Sequence, residues 1–213
     1  MSGSRILWGA GTPRCLRAHW MLHELELPYE RRPIGSRTGE TQTEHYGVLN
    51  PSRKIPCLED GDLVLAESGA IVNYLATAYG EGRFAPPADV RGRARYDQWC
   101  FFVLMELDAN TMYIIRRHED LKDVYGEAPR AVEAARLCFA QQAKAAAERL
   151  GQGPYAMGDR FTGADILLTS CLTGSLRRGV ELPDSLVAYT NRITARPAYV
   201  RALEANQRVA PAR

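Results

Sequence analysis

The stretch Gly80-Glu81-Gly82-Arg83-Phe84-Ala85-Pro86-Pro87 constrains the fold of this chain more than any other. Two glycines and two prolines within eight residues interrupt any helix or strand that would run through them. Before this stretch the apolar runs are short and bounded by turn residues. After it they lengthen into helically spaced patterns with no convincing strand. The 213-residue chain therefore reads as an α/β domain over residues 1–82, a linker over 83–88 and an all-helical domain over 89–213.

Within the first part, Ile6 to Gly9 reads as a short buried strand closed by the turn residues Gly9-Ala10-Gly11. Leu16, Trp20, Leu22, Leu25 and Leu27 then fall near helical spacing, and Pro28 to Ile34 carries a second strand. A strand, a helix and a second strand in that order form a βαβ unit with a right-handed crossover. A short helix is expected near Thr43 to Leu49. Strands near Pro56 to Glu59 and Leu63 to Ala66 flank the hairpin turn Glu59-Asp60-Gly61-Asp62, and a helix follows from Gly69 to Ala78. In the second part helices are expected over Val90 to His118, Ala131 to Leu150, Gly163 to Leu176, Ser185 to Ala195 and Ala198 to Gln207. Thr162 and Asp165 stand three residues apart as a capping box, with Phe161 and Ile166 at the hydrophobic-staple positions of the same helix start.

A formal net charge of +2 with scattered arginines excludes a nucleic-acid footprint. Five cysteines without a CxxC pair fit neither a disulfide framework nor a structural zinc site, and a reducing compartment follows. The first residues lead straight into Ile6-Leu7-Trp8, too short for a signal segment or a membrane span, so a cytoplasmic protein with no membrane partner is expected. His19 and His23 lie one helical turn apart, but without a third ligand nearby they read as packing or solvated residues, and no metal is expected.

Two segments carry the chemistry: Asn50-Pro51-Ser52-Arg53-Lys54-Ile55-Pro56-Cys57-Leu58 and Glu67-Ser68-Gly69-Ala70-Ile71. A proline opening a buried strand cannot donate to the ladder. A serine where a strand gives way to a helix can hold a carboxylate at the positive end of the helix dipole, and the preceding Glu67 can pair with an ammonium. With Leu25-Glu26-Leu27-Pro28-Tyr29-Glu30 and Arg196-Pro197, these segments resemble the glutathione transferase family over nearly the whole chain. The form it resembles is a bacterial-type, serine-class-like one, with threonine at the position that the resemblance implies is catalytic. The resemblance implies a thioredoxin-like N-terminal domain and an all-helical C-terminal domain. It also implies a cis bond at Ile55-Pro56, which leaves the Ile55 backbone to pair with the tripeptide, and a glutathione site made of Lys54, Ile55, Pro56, Glu67 and Ser68.

The family places its catalytic group after the first strand. The serine position of its Ser-type classes corresponds here to Thr12, followed by Pro13, while Cys15 lies close to the cysteine of the Cys-type classes. The expected reaction is conjugation of glutathione, a co-substrate, to a small hydrophobic electrophile in a detoxification role. The alternatives are a glutathione-dependent thiol transferase or disulfide reductase working through Cys15, and a non-catalytic binding module. Tyr113 and Arg117 are the candidates beside the electrophile. A homodimer is implied, with Arg91 to Phe102 as a contact face.

Overall fold

The computed structural model describes residues 5–208. They form two compact units, one made of residues 5–85 with 195–208 and the other of residues 86–194. The expected helical domain ran from 89 to 213, whereas the segment from Ala195 onward belongs with the first unit.

The first unit is built on a four-stranded mixed sheet in the order β2-β1-β3-β4, comprising β1 (Arg5–Trp8), β2 (Glu30–Arg32), β3 (Cys57–Asp60) and β4 (Leu63–Ala66). β1 pairs parallel to β2 and antiparallel to β3, and β3 pairs antiparallel to β4 across the expected hairpin. This is the thioredoxin-like arrangement. The crossover helix α1 (Pro13–Glu24) starts with proline, whose missing N–H would have had no helical partner there anyway. Every residue from Cys15 to Leu22 is buried, because α1 is covered by α3 (Ser68–Tyr79) on one side and by a returning helix at 197–205 on another. A helix apolar on one face only could not occupy this place. The short α2 (Glu44–Leu49) is capped by Thr43, whose hydroxyl accepts from the Tyr46 N–H at 3.3 Å.

The second unit is helical: α4 (Val90–Phe102), α5 (Tyr113–His118), α6 (Lys122–Tyr125), α7 (Pro129–Leu150), α8 (Gly163–Leu176) and α9 (Asp184–Thr194). The expected single helix from Val90 to His118 runs without a break in helical structure but changes hydrogen-bond pattern, with a π-helical segment over Val103–Met112 between α4 and α5. Within it the Thr111 hydroxyl donates to the carbonyls of Leu107, at 2.7 Å, and Glu106, at 3.2 Å. The capping box of α8 is present, with the Thr162 N–H donating to the Asp165 carboxylate at 2.8 Å. The fully buried Asp165 also accepts from the Ala156 N–H and the Tyr189 hydroxyl, each at 2.7 Å. The last helix, α10 (Pro197–Ala205), lies in the first unit. Among the described residues no helix is long and apolar enough to cross a membrane, and no cluster of His, Cys, Asp or Glu could hold a metal ion.

Candidate functional site

Strand register assembles the site. Trp8, at the end of β1, lies opposite Cys57, at the start of β3, and Cys57 lies opposite Ala66, at the end of β4. The residues that follow Trp8, precede Cys57 and follow Ala66 therefore emerge at one end of the sheet. These are Gly9 to Thr12, Lys54 to Pro56, and Glu67-Ser68. The expected glutathione-site residues and Thr12, scattered over more than fifty positions, thus share one end of one sheet.

Each of the three segments is held in place. Gly9 has φ +114°, and a Cβ there would sit 2.6 Å from the Ile55 Cβ and 2.9 Å from the Cys15 Sγ. Only glycine lets the loop close against Ile55. The Lys54 carbonyl accepts from the Tyr46 hydroxyl at 2.6 Å and from the Asn50 side-chain amide at 2.8 Å. The Ile55-Pro56 bond is cis. No backbone hydrogen bond among the described residues uses the N–H or C=O of Ile55. The Lys54 side chain is exposed. Glu67 has φ +66° and ψ 112°, a conformation L residues rarely adopt and which surrounding structure must hold. Its side chain is exposed and does not cap α3.

Ser68 is buried, and its hydroxyl oxygen accepts from the guanidinium of Arg17 at 3.2 Å. Arg17 is 1% exposed. A buried cation thus stands behind the N-terminus of α3 and adds to the positive end of the helix dipole. Arg17, Tyr46 and Asn50 position the site but were not singled out for it by sequence reasoning. Asn50 lies within the quoted motif; Arg17 reads only as a charged residue on an otherwise apolar helix.

Thr12 is the N-cap of α1, its hydroxyl oxygen accepting from the Cys15 N–H at 3.0 Å. Among the described residues its O–H proton has no acceptor. Cys15 is fully buried, in a cluster with Tyr46, Ile55 and Cys57. Burial, with Glu59 nearby, pushes the Cys57 thiol up to about 11. His19 is also buried: its Nε2 lies 3.2 Å from the Gly9 carbonyl and its Nδ1 lies 2.7 Å from the Tyr29 hydroxyl. A carbonyl can only accept, so the proton sits on Nε2 and Nδ1 accepts from Tyr29. Burial lowers the His19 pKa to about 4, with smaller contributions from Arg31 and His23 in the same direction, opposed by the bond to Gly9. His19 therefore supports the loop as a neutral ring.

In the second unit the Arg117 guanidinium lies 4.3 Å from the Tyr125 ring centroid and 5.7 Å from that of Tyr113. The Arg117 Nε is buried without a hydrogen-bond partner among the described residues.

Comparison with known proteins finds two matching family models and similar proteins of known structure. Residues 4–77 match the model of the glutathione S-transferase N-terminal domain, and residues 104–197 match that of the C-terminal domain. A glutathione S-transferase theta-3 from Mus musculus is 41% identical over 73 residues, which span 34% of this chain and 30% of the mouse protein. A glutathione S-transferase from Hyoscyamus muticus is 29% identical over 213 aligned residues, covering 96% of this chain and 100% of that protein. The structure of a theta class glutathione S-transferase from Xanthomonas axonopodis pv. citri, with glutathione bound, superposes with a TM-score of 0.81. That structure is 29% identical and covers 94% of this chain and 97% of its own.

Proposed function

The chain belongs to the glutathione S-transferase family, and on that footing we propose that it binds glutathione at the end of the β1-β3-β4 sheet. There it ionises the thiol and adds it to a small hydrophobic electrophile. The Lys54 ammonium takes the glycyl carboxylate. The free N–H and C=O of Ile55 pair with the cysteinyl backbone, as an added strand pairs with a sheet edge. Ser68 and the first turn of α3, backed by Arg17, hold the γ-glutamyl carboxylate, and Glu67 takes the ammonium beside it. The glutathione bound in the Xanthomonas relative supports this reading.

The observation that carries the chemistry is the Thr12 hydroxyl: at the N-cap of α1, it accepts from Cys15 N–H and keeps its own proton to donate. A thiol with an ordinary pKa of about 8.5 must fall by roughly two units to be mostly ionised at neutral pH, which is about 2.7 kcal/mol. A helix N-terminus supplies about 0.3 to 1 kcal/mol, or about 2 when partly buried. A hydrogen bond to the thiolate, worth about 1.5 to 3 kcal/mol, makes up the rest. The thiol proton passes to solvent water, the thiolate attacks the electrophilic carbon, a C–S bond forms and the leaving group departs with the electron pair. Tyr113 and Arg117 are proposed beside the electrophile. A homodimer is proposed through the α4 face, where Val90 and Phe101 are exposed.

Thr12→Val is expected to lower the conjugation rate with a generic aromatic halide by about ten- to a hundredfold while retaining glutathione binding. Full rate in that variant would refute Thr12 as the thiolate donor. Burial of Cys15 favours conjugation over disulfide exchange, which needs an accessible thiolate. Turnover of glutathione mixed disulfides abolished by Cys15→Ser would instead establish the reductase. Binding without turnover of any electrophile would establish a docking module.

A further inference from the structure

The peptide groups from Gly9 to Thr12 are bonded one after another to three distant parts of the first unit. Gly9 N–H donates to the Arg32 carbonyl at 2.8 Å and Ala10 N–H to the Ile34 carbonyl at 3.0 Å, both beside β2. The Gly9 carbonyl accepts from His19 on α1. The last step, into Thr12, is made by a residue 194 positions away. Gly11 N–H donates to the backbone carbonyl of Asn206 at 2.7 Å and to its side-chain Oδ1 at 3.1 Å, while Asn206 Nδ2 donates to the Thr12 carbonyl at 3.1 Å. A single amide side chain therefore spans the Gly11-Thr12 peptide with its acceptor on one side and its donor on the other, a pairing that no other amino-acid side chain of that length can make.

Asn206 is itself delivered by a fixed support. It is the C-cap of α10, its N–H bonded to the Ala202 carbonyl at 2.9 Å. α10 is fastened to α1 by a two-pronged ion pair between Arg196 and Glu24, at 2.6 and 2.7 Å, and by the edge-on contact of Trp20 with Tyr199. The Arg31 guanidinium holds the next carbonyl, that of Gln207, at 3.1 Å. Gly11, with φ +77°, leaves room for the Arg208 stem, which a Cβ there would approach to 3.1 Å.

We propose that Asn206 is a positioning residue for the glutathione chemistry: its carboxamide fixes the Gly11-Thr12 peptide and so the direction in which the Thr12 hydroxyl meets the sulfur. This rests on the reading of Thr12 as the thiolate donor. The Thr12 carbonyl already receives the Leu16 N–H at 3.0 Å, so α1 starts without Asn206. What the carboxamide adds is the orientation of the residue before the helix. A donor misaligned by a fraction of an ångström binds the substrate backbone as before but stabilises the thiolate less.

The test compares Asn206→Ala, the bulkier Asn206→Leu, Thr12→Val and the double variant Thr12→Val/Asn206→Ala in steady-state conjugation and in ultraviolet titration of the bound thiolate. Asn206→Ala and Asn206→Leu are expected to lower kcat about tenfold with the KM for glutathione within about twofold, and to raise the apparent pKa of bound glutathione. In the Thr12→Val background Asn206→Ala is expected to cost almost nothing further, since its effect passes through the threonine. Unchanged kcat and thiolate titration in both Asn206 variants, with Thr12→Val impaired, would overturn the inference and leave the Thr12 reading intact. An equal loss in both backgrounds would place the action of Asn206 elsewhere and overturn it too. A Thr12→Val variant with unchanged rate and titration would remove the reading and the inference together.

Discussion

At the scale of single residues, the groups proposed to face glutathione are the ones that the sequence singles out, and the groups that hold them are not. Lys54, Ile55, Pro56, Glu67 and Ser68 announce themselves because a strand-opening proline and a serine at a strand-to-helix junction have few other uses in combination. Arg17, Tyr46, Asn50 and Asn206 do their work through partners whose proximity is a product of the fold; Arg17 meets Ser68 across 51 positions of sequence. His19 makes the same point. As a residue on α1 it suggests packing or solvation, and its bond to the Gly9 carbonyl makes it a support of the loop from Gly9 to Thr12. Because burial depresses its folded-state pKa to about 4 from an ordinary 6.5, the folded state resists protonating it. Its contribution to stability is complete above about pH 6.5 and is lost as pH falls from there toward 4, a total of about 3 kcal/mol. Thermal unfolding of wild type and His19→Gln across this range should show a steeper loss of stability in the wild type than in the variant; parallel curves would contradict the assignment.

At the scale of elements, boundaries marked by side-chain chemistry were readable, whereas changes in backbone hydrogen bonding were not. The Thr162 and Asp165 pair marked the start of α8, and both bonds of the box are present. The extra bonds from Ala156 N–H and Tyr189 hydroxyl to Asp165 join α8 to the preceding loop and to α9, and sequence spacing carries no sign of them. Asp165→Ala removes the acceptor of four buried donors at once, so it should destabilise the protein by about 3 kcal/mol or more, well above the cost of an ordinary cap. Denaturant midpoints check this, and a loss below about 1 kcal/mol would show that the carboxylate is not the hub of that corner. The π-helical segment at Val103–Met112 escaped notice because apolar spacing near one turn is nearly the same in an α-helix and in a π-helix.

At the scale of the whole molecule, the Gly-Pro linker and the change from short to long apolar runs imply domains over residues 1–82 and 89–213 joined by a linker at 83–88, and the described residues form compact units of residues 5–85 with 195–208 and of residues 86–194. The return of α10 to the first unit was not legible, since its amphipathic pattern would suit a place in either unit. That return brings Asn206 to the loop carrying Thr12, the contact on which the proposed positioning role rests. The central claim is that glutathione lies at the end of this sheet with its sulfur at Thr12, and a crystal structure of the complex tests it directly. The account predicts the sulfur within hydrogen-bond distance of the Thr12 hydroxyl, the cysteinyl backbone paired with Ile55 and the γ-glutamyl carboxylate at Ser68. A sulfur turned to Cys15, or glutathione bound away from this end of the sheet, would contradict it.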